Sequence, residues 1–286
     1  MRSSTIISIA AIAVAAVALG AADRDIRLLN ATTDEDVVVD FRGALAMTEA
    51  KMWESPNGGT LPYRLHAPEK TTPGRLYPMV VLMHGAGERG TNNSDQIRNG
   101  GTDFIAWAKR HGQEFVFVAP QCPADKKWVD SPWNAEKSTM RETPTPYLRM
   151  AMEIVDEAVK TYPVDPSRIY VIGISMGGYA TWELLQRNPG LFAAAIPCCG
   201  GGDSSLAPRL VDIPIWVFHG DRDDVVPVVR SRSMVEAIKA AGGTSIKYRE
   251  YPGMGHDVWT PTFSDDSVFE WLFSQRKDLF SVGRSN

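Results

Sequence analysis

The chain has 286 residues, 44% hydrophobic and 22% charged. This is ordinary globular usage and excludes a disordered, collagen-like or coiled-coil chain. With 30 basic residues against 34 acidic, a net charge of −4 and no basic stripe, nothing points to a nucleic-acid partner held through its phosphates. Three cysteines, Cys122, Cys198 and Cys199, are too few for a disulfide scaffold and lack zinc-finger spacing.

The first 22 residues differ from the rest. Arg2 is followed by a nearly unbroken apolar run, Ile6 to Ala22, which ends in the small residues Gly20-Ala21-Ala22 before Asp23-Arg24-Asp25. A basic start, an apolar centre and a small-residue end are the parts of a secretory signal. The competing reading, a retained membrane anchor, wants about 20 strongly apolar residues, and an alanine-rich run is only weakly apolar. Residues 1–22 are therefore expected to be a cleaved signal peptide and 23–286 a single domain, secreted or periplasmic.

Along the remaining chain, the alternations at Val37-Val38-Val39 and Tyr63-Arg64-Leu65-His66 suggest early antiparallel strands. Five short apolar runs then follow: Met79 to Met83, Phe115 to Ala119, Arg168 to Ile174, Ile213 to Phe218 and Ile246 to Tyr251. Between and after them lie helical patterns at Thr102 to His111, Leu148 to Tyr162, Met176 to Arg187, Val229 to Ala241 and Ser267 to Arg276. Strand–helix alternation of this kind predicts an α/β protein. Its sheet is doubly wound and mostly parallel, with helices on both faces and antiparallel strands at the N-terminal edge. Residues 120–146 show no periodicity, and loops of that length in a compact domain are usually functional.

The chemistry begins at Gly173-Ile174-Ser175-Met176-Gly177, a G-x-S-x-G string between an apolar run and a helical pattern. That is the setting of a nucleophile elbow, where a strained turn lifts a serine onto the top of the sheet. A serine hydroxyl needs a neighbouring base to become nucleophilic. Of the five histidines only His219 and His256 follow Ser175. His219 precedes the acid candidates, so the order Ser, acid, His leaves His256 as the base. The acid belongs in the loop His219-Gly220-Asp221-Arg222-Asp223-Asp224, where any of the three aspartates could accept from the imidazole. Two backbone donors are needed for the oxyanion. Met176 N–H follows the nucleophile, and the glycine-rich loop His84-Gly85-Ala86-Gly87-Glu88-Arg89-Gly90 offers Ala86 N–H. A phosphate cradle is the other reading of that loop, but it has neither the Lys-Ser/Thr of a P-loop nor dinucleotide-binding spacing.

Together these motifs resemble the α/β-hydrolase superfamily. More narrowly they are similar to secreted esterases of carbohydrate esterase family 1 and to the dienelactone hydrolase and polyhydroxybutyrate-depolymerase-like group. The resemblance runs from about Leu61 to Phe273 and includes Pro120-Gln121-Cys122-Pro123, an element often seen in that group. It implies that the acid takes the first position of an Asp-x-x-Val-Pro string, here Asp223 to Pro227, with Asp224 as the fallback. It also implies two-step acyl transfer with no metal or organic cofactor: Ser175 attacks, His256 moves the proton, Asp223 holds the imidazole, and the Ala86 and Met176 amides hold the oxyanion. Since His256 must be neutral to act as base, activity should fall on acidification. Trp128, Trp133 and Trp259, with Tyr147 and Phe263, are candidates for a pocket lined by aromatic faces; simple packing of loops onto the core is the alternative. The substrate is then a small-molecule or polysaccharide-linked ester, with feruloyl or acetyl groups on plant polysaccharide as one target. A serine peptidase would use the same triad, whereas a non-catalytic binding protein on this fold would be expected to lose a triad member.

Overall fold

The computed structural model describes residues 39–279. The expected signal segment, residues 1–22, and Val37-Val38 lie outside the described residues.

Among the described residues, eight strands form one sheet: β1 Glu49–Glu54, β2 Thr60–His66, β3 Tyr77–Met83, β4 Val116–Pro120, β5 Val164–Ile174, β6 Ala194–Cys198, β7 Ile215–Gly220 and β8 Ile246–Tyr251. Their spatial order is β1-β2-β4-β3-β5-β6-β7-β8. β1 pairs antiparallel with β2, and β2 antiparallel with β4; every later pairing, β3–β4 through β7–β8, is parallel. β3 is buried along its whole length. Met79, Val81 and Met83 enter the core on one face, while Val80 and Leu82 enter the core on the other. Apolar side chains on both sides are what an interior parallel strand requires. β8 lies at the sheet edge, where Lys247 and Arg249 are exposed. Charged side chains on an edge strand discourage pairing with another chain.

Seven α-helices among the described residues cover the sheet: α1 Phe41–Ala46, α2 Gly101–Arg110, α3 Pro146–Thr161, α4 Met176–Arg187, α5 Val229–Ala240, α6 Trp259–Phe263 and α7 Asp266–Ser274. The apolar residues of α3, α4 and α5 fill one core, and those of α2, α6 and α7 fill the other. α3 starts where the chain dictates it. Thr145 Oγ1 accepts the Leu148 N–H at 3.1 Å, and Pro146 needs no donor partner in the first turn. Leu148, Ala151, Ile154, Val155 and Ala158 then recur at the spacing of one helical face. α4 is buried from Met176 to Gln186 because it crosses the middle of the sheet directly behind β5.

Several element predictions need adjustment. Val39 is not in a strand, and the antiparallel edge consists of β1 and β2 instead. β1 reads Glu-Ala-Lys-Met-Trp-Glu and is half exposed, so it has no apolar run to signal it. The β5 strand begins four residues earlier than the apolar run, at Val164 rather than Arg168. Residues between β4 and α3 form an irregular excursion, as the absence of periodicity implied.

Candidate active site

Ser175 sits between β5 and α4 with φ +53° and ψ −118°. That is a left-handed conformation which costs a non-glycine residue on the order of 1–3 kcal/mol. Its N–H donates to Cys198 O at 2.9 Å, pinning the turn against β6. The turn is crowded on both sides. A Cβ on Gly173 would lie 2.3 Å from Gly177 O, and one on Gly177 would lie 1.8 Å from Met83 O. Glycine at both positions is thus a packing requirement of the elbow.

Three loops at the carboxyl ends of β5, β7 and β8 bring Ser175, Asp223 and His256 together. Asp223 Oδ2 lies 2.7 Å from His256 Nδ1, and Ser175 Oγ lies 2.8 Å from His256 Nε2. A carboxylate can only accept, so the imidazole proton is on Nδ1 and Ser175 donates to Nε2. The Asp223 side chain is fully buried. Its other oxygen, Oδ1, accepts the Val225 and Val226 N–H groups at 2.9 and 2.8 Å. Burial alone would push its carboxyl up, but the hydrogen bonds from His219, His256 and the Val226 amide outweigh it and hold the group well below the usual carboxylate range. Asp224, by contrast, is exposed and Asp221 accepts the Gly253 N–H at 2.6 Å. Of the three aspartates left open by residue order, the geometry brings Asp223 to His256.

Sequence reasoning passed over two neighbours of this relay. His219 is fully buried, with Nε2 at 3.1 Å from Asp223 Oδ2 and 2.9 Å from Val226 O. Both partners are acceptors, so this nitrogen carries a proton toward the acid. Cys199 has φ +48°, and its Sγ–H donates to His256 O at 3.1 Å. Cys199 Sγ, an Asp223 oxygen and a His256 nitrogen lie within 4.8 Å of one another, which formally could hold a metal. A metal takes thiolate and free imidazole nitrogen. Here burial raises the Cys199 thiol well above its ordinary value, and both His256 nitrogens are already engaged. The three groups make a hydrogen-bonded support rather than a ligand set. All three cysteines are free, with Cys122 in the core on one face of the sheet and Cys198 and Cys199 in the core on the other.

The glycine-rich loop follows β3. Ala86 opens a 3₁₀ turn, Ala86–Glu88, and Met176 opens α4. First-turn amides have no acceptor within their own helix, which leaves both free to face a ligand. His84 anchors the loop. Its Nδ1 donates to Gly85 O at 2.6 Å and its Nε2 accepts the Cys122 N–H at 2.9 Å. Burial lowers its pKa to about 4, so it stays neutral. Gln121, in the Pro-Gln-Cys-Pro element, ties the same loop by donating to Glu88 O and Asn92 Oδ1.

The aromatic candidates separate. Trp128 is fully buried, and its Nε1–H donates to His84 O at 3.2 Å. It is a core residue under the glycine-rich loop and lines no open pocket, a correction to the sequence expectation. Phe263 is likewise buried. Trp133 is half-buried, with Lys127 Nζ 4.6 Å and Arg89 Cζ 5.8 Å from its ring centre. Trp259 stands edge-on to the His256 ring at 5.3 Å. Tyr147 lines an open cleft together with Tyr179, Gly201 and Asp203.

The sheet order, the elbow and the chain order of Ser, Asp and His define the α/β-hydrolase class. The chain belongs to the Phospholipase/Carboxylesterase family, which matches residues 72–269. Among curated relatives, a bifunctional acetylxylan esterase/xylanase of Neocallimastix patriciarum is 25% identical over 57% of this chain. A poly(3-hydroxybutyrate) depolymerase of Ralstonia pickettii is 26% identical over 53%. The matched regions span only 21% and 32% of those relatives. A solved thermostable esterase is 38% identical with TM-score 0.73, covering 82% of this chain and 64% of that one. A ferulic acid esterase shares the fold at 19% identity and TM-score 0.58, covering 79% of this chain and 95% of that one. Among the described residues no helix is long and apolar enough to cross a membrane.

Proposed function

We propose that this protein is a secreted serine esterase that cleaves carboxylic esters through an acyl-enzyme. The observation that carries the reading is the unbroken hydrogen-bonded line from Ser175 through His256 to Asp223. Ser175 Oγ attacks the ester carbonyl as its proton passes to His256 Nε2. The Ala86 and Met176 amides receive the oxyanion. His256 then gives the proton to the departing alcohol, and water, activated by the same imidazole, releases the acid. Asp223 keeps the Nδ1–H tautomer throughout and stabilises the imidazolium that forms.

Residues 1–22 direct export and are removed, and 23–286 work as one domain. Acetyl or feruloyl esters of plant polysaccharide are the proposed substrates. The names of the acetylxylan esterase and ferulic acid esterase relatives support that choice, as does Trp259 beside the base. A fluorophosphonate probe with peptide mapping tests the mechanism: labelling at Ser175 is expected, and labelling elsewhere or none overturns it. Comparing kcat/KM on feruloyl, acetyl-sugar and short-chain nitrophenyl esters tests the substrate class, and no advantage for the first two counts against the polysaccharide. Amino-terminal sequencing of exported protein should begin at Asp23.

A further inference from the structure

Two amides make an oxyanion site only if both point at one oxygen, each N···O about 2.7–3.1 Å. The two donors assigned above come from different segments. Met176 opens α4 behind β5, where it is buried and held by the helix that follows. Ala86 lies in the loop after β3 and has no such support. It belongs to a three-residue 3₁₀ turn and stands between Gly85 and Gly87, a stretch too short to define its own geometry. Gly87 is exposed, with nothing within 4 Å of a Cβ built on it. Glycine on both sides leaves the Ala86 peptide free to turn unless other groups hold it.

Side chains grip this loop at several points. His84 Nδ1 donates to Gly85 O before Ala86, and Gln121 Nε2 donates to Glu88 O after it. Arg89 reaches Ala86 itself, its Nε donating to Ala86 O at 2.8 Å. The rest of the guanidinium is turned to the long excursion between β4 and α3. Nη1 donates to Lys126 O at 3.2 Å, and Cζ lies 5.8 Å from the Trp133 ring centre, within cation–π range. Arg89 forms no ion pair among the described residues, so no carboxylate draws it from these two carbonyls. Trp133 carries the link onward. Its backbone oxygen accepts the Tyr179 hydroxyl at 2.8 Å. Tyr179, buried in the first turn of α4, donates its N–H to Ser175 O at 3.2 Å. One line of contacts thus runs from the Ala86 carbonyl through Arg89, Trp133 and Tyr179 to the start of α4, where the Met176 amide sits.

We propose that Arg89 is a positioning residue of the oxyanion site, and that Arg89, Trp133 and Tyr179 form a brace that sets the Ala86 amide against the Met176 amide. This role rests on the esterase reading above and deepens it by giving residues outside the triad a task in turnover. It also gives the aperiodic excursion one, since Lys126 and Trp133 are where that segment meets the oxyanion loop. Charge acts in the same direction. Burial is the main reason His84 stays neutral, and the Arg89 charge adds to it. A cation whose field reaches His84, two residues before Ala86, also favours negative charge at the Ala86 amide.

The test is a double-mutant cycle of Arg89→Gln and Tyr179→Phe. It is read with 4-nitrophenyl acetate and with phenylboronic acid, whose boron takes the Ser175 oxygen and becomes a tetrahedral anion that mimics the intermediate. Arg89→Gln is expected to lower kcat about tenfold, less than loss of a donor outright. The boronate Ki should rise by the same factor, with KM within about threefold and Tm little changed. Arg89→Lys keeps the charge without the fork and should recover part of the loss. Tyr179→Phe should lower kcat about threefold, and the double variant should be no worse than Arg89→Gln, because a brace broken at one joint is already slack. An Arg89→Gln enzyme within twofold of wild type in kcat and Ki overturns the proposal. So does a fall in kcat with an unchanged boronate Ki, or additive losses in the double variant, which mark two independent struts. If Arg89→Gln fails to fold, Trp133→Ala takes its place in the cycle. In each of these outcomes, ester turnover by wild type with labelling of Ser175 leaves the esterase reading standing, whereas a wild type that turns over no ester overturns both.

Discussion

Replacing Asp223 by Asn tests the relay most sharply, because it changes hydrogen-bonding capacity and leaves shape almost untouched. In the native site the fully buried carboxylate receives four hydrogen bonds: from His256 Nδ1, His219 Nε2 and the Val225 and Val226 amides. Asparagine offers one acceptor oxygen and an NH₂ group. If the oxygen stays with the two amides, the NH₂ faces two N–H donors, and His256 must flip its proton to Nε2 to accept from it. That tautomer cannot take the proton of Ser175. Bonds to a charged acceptor are worth about 1.5–3 kcal/mol each, and two are lost at the imidazoles. The expected fall in kcat is about 10³–10⁴, or about 4–5.5 kcal/mol on the barrier. Steady-state turnover of 4-nitrophenyl acetate near pH 8 measures it, with Asp224→Asn as the control, since Asp224 is exposed and should stay within about twofold. An Asp223→Asn enzyme within tenfold of wild type, or an Asp224→Asn enzyme equally impaired, would refute the assignment.

Other outcomes follow from the same geometry. Ser175→Ala should lose at least about 10³ in kcat, because triad members act as a unit; retained ester turnover would remove Ser175 as nucleophile. Gly177→Ala puts a methyl 1.8 Å from the Met83 carbonyl oxygen, where neither backbone segment can yield, so a stability loss above about 3 kcal/mol is expected in denaturant unfolding. His84 predicts a pH dependence of stability. It stays neutral in the fold down to about 4, against an ordinary value of 6.5, so between these values the unfolded chain binds the extra proton. Its contribution is complete above pH 6.5 and fades as pH falls towards 4, integrating to about 3 kcal/mol. In urea titrations, His84→Gln should flatten that part of the pH profile, and an unchanged slope would show that His84 is not its source.

The chain itself determined a good deal, for local reasons. α4 and β8 lie at the bounds that the sequence predicts, because the glycines that bracket them are signals carried within a dozen residues. Ser175 was legible from the glycines that its strained turn demands, and His256 from the scarcity of histidines beyond it. Residue order stopped at three equivalent aspartates. A half-exposed edge strand such as β1 left no periodic trace, and Trp128 read as a pocket aromatic because composition does not say which way a ring turns.

Tertiary structure decided what depends on contacts between distant residues. Asp223 reaches the imidazole because β7 and β8 are neighbours in the sheet and their loops open on the same side. His219 and Cys199 join the relay through packing that spans strands, and neither carries a motif. Arg230 carries no motif either, and folding buries its guanidinium between Ser138, Tyr179 and Gly201.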